Sequence, residues 1–262
     1  MWHAGGESQF ANMKSYLLSS GCENLVDKGN FDKKDMNSKW GAYDNVVYKR
    51  VLAESATKKT PFFTTVLTLT NHEPFELPAA SHFKGDEIEN KFRSTSYYAD
   101  SCLGAFIREA RQQPWYQNTL FVVVADHGHH LPKNQSEIFD SHRYRIPLLF
   151  FGEAIKPQFR GTKISKVGSQ TDITFTLLNQ LNLPVKDYHW GKDLLNPEVK
   201  GHAFYSWDNG FGFVNDQNAA LSIDRVSKNV IYKTDGMQND GKRLEKHAKS
   251  YMQSVFQQYL EY

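Results

Sequence analysis

Asp126, His127 and Gly128 directly follow an apolar run. At that position, their side chains could bind a metal ion. The run, residues 120–125, is too short to span a membrane and is rich in Val, which favours a strand buried on both faces. Open α/β sheets place their ligand sites at the carboxyl ends of such strands. A carboxylate and an imidazole one residue apart suit a divalent cation, and Gly128 allows a sharp turn beside them. The alternative is that Asp126 only caps the next turn and His127 is solvated.

A second β-rich run, residues 62–70, also ends at a polar cluster. Asn71, His72 and Glu73 follow it, and Pro74 prevents further strand pairing. We expect the two strands to deliver these groups to the same edge of one sheet. A single histidine at a strand end is usually a surface residue, but several titratable groups that converge at one edge indicate a metal or anion site.

Together with further segments, these two strand ends resemble the sulfatase-like catalytic domain of the alkaline phosphatase superfamily, in the branch of lipoteichoic acid synthases and periplasmic phosphoglycerol transferases. The resemblance covers about residues 1–195, and the order and spacing of the segments are more specific than any one motif. The matching segments are residues 5–13, 40–44, 70–75, 125–128, 145–150 and 169–178.

The resemblance implies a metal-dependent transferase or hydrolase of phosphate or sulfate esters. In that family a Thr or Ser nucleophile and an acidic ligand share one cation with an Asp-His pair, which Asp126 and His127 match. The implied cation is Mn²⁺, and Mg²⁺ or Zn²⁺ would also suit the pair. His72 matches the histidine that contacts the substrate phosphate. His3 is the nearest counterpart of a second such histidine, although an ungapped match on Phe10 would place Ala4 there.

The family's nucleophile and acidic ligand lie upstream of the Gly5-Gly6 segment. No Thr or Ser of this chain is therefore assigned as the nucleophile, and we expect the chain to be a fragment or a truncated gene product. In the synthases a Trp and an Arg follow the matching Phe, whereas Ala11 and Met13 stand at those positions here.

A long segment after Gly128 carries five further candidates. Its histidines could add ligands, and Arg143 and Arg145 could hold an anionic ester, because a guanidinium group can bind such an anion with two hydrogen bonds. Of these five, His142 and Arg143 are kept as candidate contacts to the substrate. His129 and His130 are better explained as part of a solvated basic loop, and this alternative applies to the whole segment.

The composition predicts a folded protein without a nucleic-acid partner. The 262 residues are 40% hydrophobic and 14% aromatic, and their net charge is +2. No secretion signal or membrane span is evident. The resemblance nevertheless implies a parent protein anchored by N-terminal membrane helices, which acts at the extracytoplasmic face of the membrane or in the periplasm. The implied substrate is an anionic phosphoglycerol lipid or glycan.

Pattern and turn signals predict an α/β fold: a mostly parallel sheet flanked by helices over residues 1–195, then a small antiparallel subdomain over 196–262. The predicted helices are 10–20, 43–56, 94–112, 171–181 and 244–260. The predicted strands are 62–70, 120–125 and 147–151 in the first part, and 203–206, 212–214, 219–223 and 230–232 in the second.

The sequence leaves two choices open for the complete enzyme, namely transfer or hydrolysis and phosphate or sulfate. The competing class is a protein without catalysis, either an inactive fragment or a phosphoglycan-binding module.

Overall fold

The computed structural model describes residues 1–9, 12–36, 38–133, 136–234 and 241–261. Two compact units make up the chain. The first contains Met1–Val122, Leu131–Lys133 and Phe150–Lys156, and the second contains the described residues of Val123–His130, Asn134–Leu149 and Pro157–Tyr262. The domain boundary predicted near residue 195 falls inside the second unit and stays a prediction.

A parallel sheet lies in the first unit, with the strand order β2-β1-β3. Its strands are β1 (Trp2–Ala4), β2 (Leu25–Val26) and β3 (Thr65–Leu67). β3 is shorter than the predicted strand 62–70. The reason lies in its neighbour, since all three residues of β3 pair with the three residues of β1.

Three helices accompany this sheet: α1 (Met13–Ser19), α2 (Asp44–Ser55) and α3 (Ile88–Ala110). The core of the unit forms where α2 packs on α3, through side chains such as Val47, Val51 and Phe106. The prediction for α2 is confirmed. α3 begins at Ile88, six residues before the predicted start, and these six residues are half-buried or exposed. The predicted start of α1, at Phe10 and Ala11, lies outside the described residues.

β4 (Phe121–Val124) and β5 (Leu148–Phe151) form a two-stranded sheet close to their predicted positions. β4 is only partly buried rather than buried on both faces, and among the described strands only β5 pairs with it. β3 and β4 therefore belong to different hydrogen-bonded sheets. The single sheet expected to carry both strand ends is not formed by the described hydrogen bonds.

The second unit contains a helix, an antiparallel sheet and a closing helix. The sheet has the order β6-β7-β8-β9, and Leu244 and Ala248 of the last helix pack on its apolar face. The predicted antiparallel subdomain is thus confirmed. Its elements are α4 (Thr171–Gln180), β6 (Ala203–Trp207), β7 (Gly210–Val214), β8 (Ala220–Asp224), β9 (Val230–Lys233) and α5 (Gly241–Glu261).

Within the described ranges, no helix is both long enough and apolar enough to cross a membrane.

Candidate functional site

A buried carboxylate holds the segment that leads to His72. Asp44 is the first residue of α2 and is 0% exposed. Its Oδ1 accepts hydrogen bonds from the backbone N–H of Leu69 at 2.9 Å and of Thr70 at 3.1 Å. In return, Thr70 Oγ1 accepts the backbone N–H of Asp44 at 3.2 Å. The backbone N–H groups at the start of α2 and just after β3 thus find their acceptors in each other's side chains. Segments 40–44 and 70–75 therefore form one structural element.

The residue before His72 is fixed from another side. Asn71 Oδ1 accepts hydrogen bonds from the hydroxyls of Thr95 at 2.7 Å and Ser96 at 3.2 Å, both on α3. Thr95 is 0% exposed. The backbone that carries His72 is therefore attached to two helices, which limits how far the ring can move.

The orientation of the His72 ring follows from one backbone carbonyl. His72 Nδ1 lies 2.9 Å from the carbonyl oxygen of Glu73, and the indole N–H of Trp40 donates to the same oxygen at 2.6 Å. A carbonyl only accepts hydrogen bonds, so Nδ1 carries the proton and Nε2 is the nitrogen that can meet a ligand. Trp40 also contacts the His72 ring edge-on, with 4.9 Å between the ring centroids.

An open groove of about 420 Å³ lies beside His72. Trp40, Phe75 and Ile88 give it apolar lining, and Lys39 and Lys91 contribute positive charge. Its remaining lining residues are Glu73, Pro74 and Asp86. The groove therefore offers apolar surface and charged groups of both signs next to the histidine predicted to contact phosphate.

The Gly-rich segment packs directly on the segment that contains Trp40. The backbone N–H of Ala42 donates to the Gly5 carbonyl at 3.0 Å. Gly41 has a φ of +144°, and a Cβ atom there would lie 2.0 Å from the Gly5 carbonyl oxygen. Only glycine allows this approach of two backbones, which explains why two of the family-like segments contain glycine at these positions.

His3 is completely buried in β1. Its Nε2 lies 3.0 Å from Glu54 Oε2, and Glu54 also pairs with Arg50. Burial lowers the pKa of His3, although Glu54 acts in the opposite direction. Among the described residues, no hydrogen bond reaches its Nδ1. In this conformation the ring contacts Glu54 rather than solvent, and its role in substrate binding stays a prediction.

Asp126 and His127 have a geometry that fits two ligands of one cation. His127 Nδ1 lies 2.9 Å from the Gly128 carbonyl oxygen, so Nδ1 carries the proton and Nε2 keeps its lone pair. That Nε2 lies 3.5 Å from Asp126 Oδ2. Two ligands at about 2.1 Å from one cation, with a tetrahedral angle between them, lie about 3.4 Å apart. Both side chains are largely exposed, which leaves them open to a cation.

In the part of the chain that the structure describes, no three His, Cys, Asp or Glu side chains cluster closely enough to hold a metal. The fit therefore concerns two ligands, and the pair would share the cation with groups outside that part or with water.

Two contacts hold the backbone of this pair. The side-chain amide of Gln170 donates to the carbonyls of Ala125 at 2.9 Å and of Asp126 at 2.7 Å. On the other side, a Cβ atom on Gly128 would lie 1.9 Å from the Arg143 carbonyl oxygen. The sequence analysis assigned Gln170 no role. The one sequence feature that points to it is its position in the family-like segment 169–178.

Asp172, in the first turn of α4, is a structural residue. It is 0% exposed and accepts hydrogen bonds from the backbone N–H of Ser169 and from both nitrogens of Lys192. Burial lowers the pKa of Lys192, and Asp172 opposes this change. Asp172 is therefore a first-turn acid that stabilises the start of α4. The hydroxyl of the neighbouring Ser169 accepts the backbone N–H of Phe204 at 3.3 Å.

His142 lies on a 3-10 helix, Ser141–Tyr144, and is oriented by a carboxylate. Asp140 Oδ1 lies 2.9 Å from His142 Nδ1 and accepts the hydroxyl of Tyr232 at 3.0 Å. Burial would raise the pKa of Asp140, but hydrogen bonds from His142 and Tyr232 outweigh it and lower the pKa. The ring therefore presents Nε2 to a ligand.

The structure indicates less about the roles of the remaining loop candidates. Arg143 contacts Gly128 through its backbone, and its predicted role in anion binding stays a prediction. His129 and His130 stack on each other, with ring centroids 4.5 Å apart.

The chain matches known proteins of one family. The Sulfatase family model matches residues 1–183. Lipoteichoic acid synthase 2 of Bacillus subtilis (strain 168) is 25% identical over 215 residues, which are 74% of this chain and 32% of the relative. Phosphoglycerol transferase I of Xanthomonas campestris pv. campestris is 27% identical over 204 residues, 73% of this chain and 28% of the relative. The chain thus spans about a third of the length of these relatives.

Solved structures show the same fold. A protein in the alkaline phosphatase superfamily from Vibrio parahaemolyticus has a TM-score of 0.75 and 23% identity, with 97% of this chain and 65% of the other chain covered. Lipoteichoic acid synthase LtaP from Listeria monocytogenes has a TM-score of 0.71 and 18% identity, with 97% and 68% covered. The fold is that of the alkaline phosphatase superfamily, and the chain belongs to the sulfatase family.

Proposed function

We propose that this chain is part of a metal-dependent phosphoglycerol transferase, with Asp126 and His127 as two ligands of a divalent cation and His72 as a contact to the substrate phosphate. The observation that carries the proposal is the 3.5 Å separation of Asp126 Oδ2 and His127 Nε2, with the proton of the ring held on Nδ1. Membership of the sulfatase family and similarity to phosphoglycerol transferase I support it.

The cation is Mn²⁺, and Mg²⁺ or Zn²⁺ would fit the same two ligands. When bound, it would stabilise negative charge on the phosphate and on an attacking hydroxyl. Asp126 and His127 would hold and orient it. These roles leave the nucleophilic attack to a Thr or Ser that is not assigned in this chain.

His72 provides the phosphate contact. With the ring protonated, Nε2–H donates to a phosphate oxygen while Nδ1–H stays on the Glu73 carbonyl. The nearby groove adds Lys39 and Lys91 as candidate contacts to the phosphate, beside the carboxylates of Glu73 and Asp86. His142, held by Asp140, and Arg143 are further candidates for anion contact. His3 would join them only after a change that exposes its ring.

The proposed substrate is an anionic phosphoglycerol lipid or glycan at the extracytoplasmic face of the membrane or in the periplasm. The names of the similar proteins, a lipoteichoic acid synthase and a phosphoglycerol transferase, support this substrate class and favour transfer over hydrolysis. Membrane attachment through N-terminal helices of the parent protein belongs to the same proposal.

The test measures Mn²⁺ content and phosphoglycerol transfer in the full product of the gene. Asp126→Ala and His127→Ala should each abolish transfer and lower bound Mn²⁺, because one ligand of the cation is lost. His72→Ala should reduce transfer and leave Mn²⁺ bound. Asp32→Ala, at an exposed carboxylate that pairs with Lys34, is the matched control and should change neither.

Two outcomes would contradict the proposal. Transfer that persists after complete removal of divalent cations would exclude the metal-dependent mechanism. A full-length protein that binds phosphoglycerol polymers without transferring phosphoglycerol would instead favour a binding module.

A further inference from the structure

The side chain of Gln170 hydrogen-bonds to the backbone at the proposed metal-binding pair. Its Nε2 donates to the carbonyl oxygens of Ala125 and Asp126, at 2.9 and 2.7 Å. One amide group thus binds two consecutive carbonyls at the point where the chain leaves β4. Consecutive carbonyls of an extended strand point in opposite directions, so a shared donor fixes the turn of the backbone at Asp126.

The backbone around Gln170 is itself held in place by hydrogen bonds. It directly precedes α4, and the buried Asp172 holds that helix start by accepting hydrogen bonds from the backbone N–H of Ser169 at 2.7 Å and of Lys192 at 2.9 Å. Lys192 Nζ also donates to Asp172, at 2.6 Å. A buried ion pair with this many hydrogen bonds fixes the backbone around it, and the amide of Gln170 transmits this position to Asp126.

We propose that Gln170 is a positioning residue that sets the direction of the Asp126 and His127 side chains toward a shared divalent cation. This inference rests on the proposed function, because it concerns the same two ligands. Asp126 and His127 are exposed, and among the described residues the only side chain that donates to the carbonyl of Asp126 is Gln170. The direction of these two side chains therefore depends on how the backbone at Asp126 is held. Partners that orient metal ligands commonly affect metal affinity by about 10- to 100-fold.

Glutamine suits this position for a chemical reason. Its amide NH₂ has two donors, which match two carbonyl acceptors. Glutamate has the same shape but only acceptors when ionised, so Gln170→Glu would place a negative oxygen against two carbonyl oxygens. Gln170→Met keeps the length and removes the donors without adding repulsion. The two substitutions should therefore act in the same direction, with the larger effect from glutamate.

The experiment measures Mn²⁺ affinity of the purified chain by calorimetry or electron paramagnetic resonance, with hydrogen exchange of residues 124–128 in the metal-free protein as a second readout. Gln170→Glu should weaken Mn²⁺ binding about 10-fold or more and speed exchange in this segment, and Gln170→Met should do both to a smaller extent. Gln253→Glu and Gln253→Met, at an exposed position of α5, are matched controls and should change neither.

A further variant separates positioning from stability. Thr176 lies in the same helix, is buried, donates to the Lys192 carbonyl and accepts the backbone N–H of Leu194. Thr176→Val should lower the melting temperature and leave Mn²⁺ affinity unchanged. If it weakens Mn²⁺ binding as much as Gln170→Glu does, Gln170 is only structural and the inference is overturned.

Asp126→Ala separates a failure of the positioning role from a failure of the proposed metal pair. If it abolishes Mn²⁺ binding while Gln170→Glu leaves affinity unchanged, the inference about Gln170 fails and the proposed metal pair stands. If Asp126→Ala itself leaves Mn²⁺ affinity unchanged, the proposed metal pair fails, and the positioning role falls with it.

Discussion

The backbone before His72 and the backbone before His127 are held by different means. Asp44 and Thr95, which anchor the first, are 0% exposed. At the second, the side chains of Asp126 and His127 are 69% and 66% exposed, and the supports from other segments are one glutamine amide and a close approach at Gly128. A group that contacts phosphate must be placed by the protein alone, whereas coordination bonds also orient metal ligands. The difference therefore agrees with the two proposed roles.

The largest effect is expected where the buried anchor is removed. Asp44→Ala leaves the backbone N–H groups of Leu69 and Thr70 without their acceptor in a buried place. The free energy of unfolding should fall by about 3 kcal/mol, as measured by urea denaturation. Asp44→Asn should cost much less, because both hydrogen bonds use Oδ1, which asparagine retains. Equal losses in the two variants would show that charge, rather than the two hydrogen bonds, provides the stability.

At the exposed strand end, Gly128→Ala tests the close approach. The added Cβ would meet the Arg143 carbonyl oxygen at 1.9 Å, so the turn must shift. We expect a loss of about 2 kcal/mol in unfolding free energy, together with weaker Mn²⁺ binding. Gly104→Ala is the control, since its nearest neighbour is the flexible Arg108 side chain at 3.4 Å, and it should be neutral or stabilising. A Gly128→Ala protein with unchanged stability and Mn²⁺ affinity would mean that the contact is unimportant.

Acid should destabilise the protein through His3. Burial lowers its pKa from the ordinary 6.5, with Glu54 opposing the change, so the unfolded chain binds the proton more readily. This contribution to stability is complete above pH 6.5 and is lost as the pH falls through that value toward the lower folded-state pKa. Urea denaturation at a series of pH values should show the decline, and His3→Gln should reduce it.

The control for this pH series is His202. Burial lowers its pKa as well, with Lys192 acting in the same direction. His202→Gln should therefore remove a separate part of the decline and leave the part due to His3. A slope that is unchanged by His3→Gln would refute the assignment.

The smallest effect is expected for Trp40→Phe. It removes the indole N–H that donates to the Glu73 carbonyl, and the edge contact with His72 becomes weaker. The cost should be about 1 kcal/mol, and nuclear magnetic resonance of the His72 ring should show a less restricted orientation. Trp115→Phe is a useful comparison in the same unit, because no described hydrogen bond reaches its indole nitrogen. Identical His72 spectra in wild type and Trp40→Phe would contradict the role of Trp40.

The sequence predicted the elements whose signals are local. β6 to β9 and α5 were found because short β-rich runs alternate with Asp, Asn and Gly and precede an amphipathic stretch. β2 was missed, since two residues carry no period. The length of β3 could not be predicted either, because its partner β1 determines it.

Candidate site residues were predictable where they follow a strand. His72, Asp126 and His127 stand out because polar groups end an apolar run. The residues that support them were not predictable, since Asp44 alone reads as an ordinary first-turn acid and Gln170 as a solvated polar residue. Their partners lie 26 and 44 positions away in the chain, and only the folded structure brings them together.

His72, His127 and His142 share the same attachment, in which Nδ1 is bound by an acceptor one or two residues away. The working nitrogen of each ring is therefore the one farther from the backbone. A glutamine side chain can place its amide near that distal position, whereas an asparagine amide lies near Nδ1. Random replacement at these three positions should thus retain residual binding with glutamine more often than with asparagine, although asparagine is the shorter and stiffer side chain.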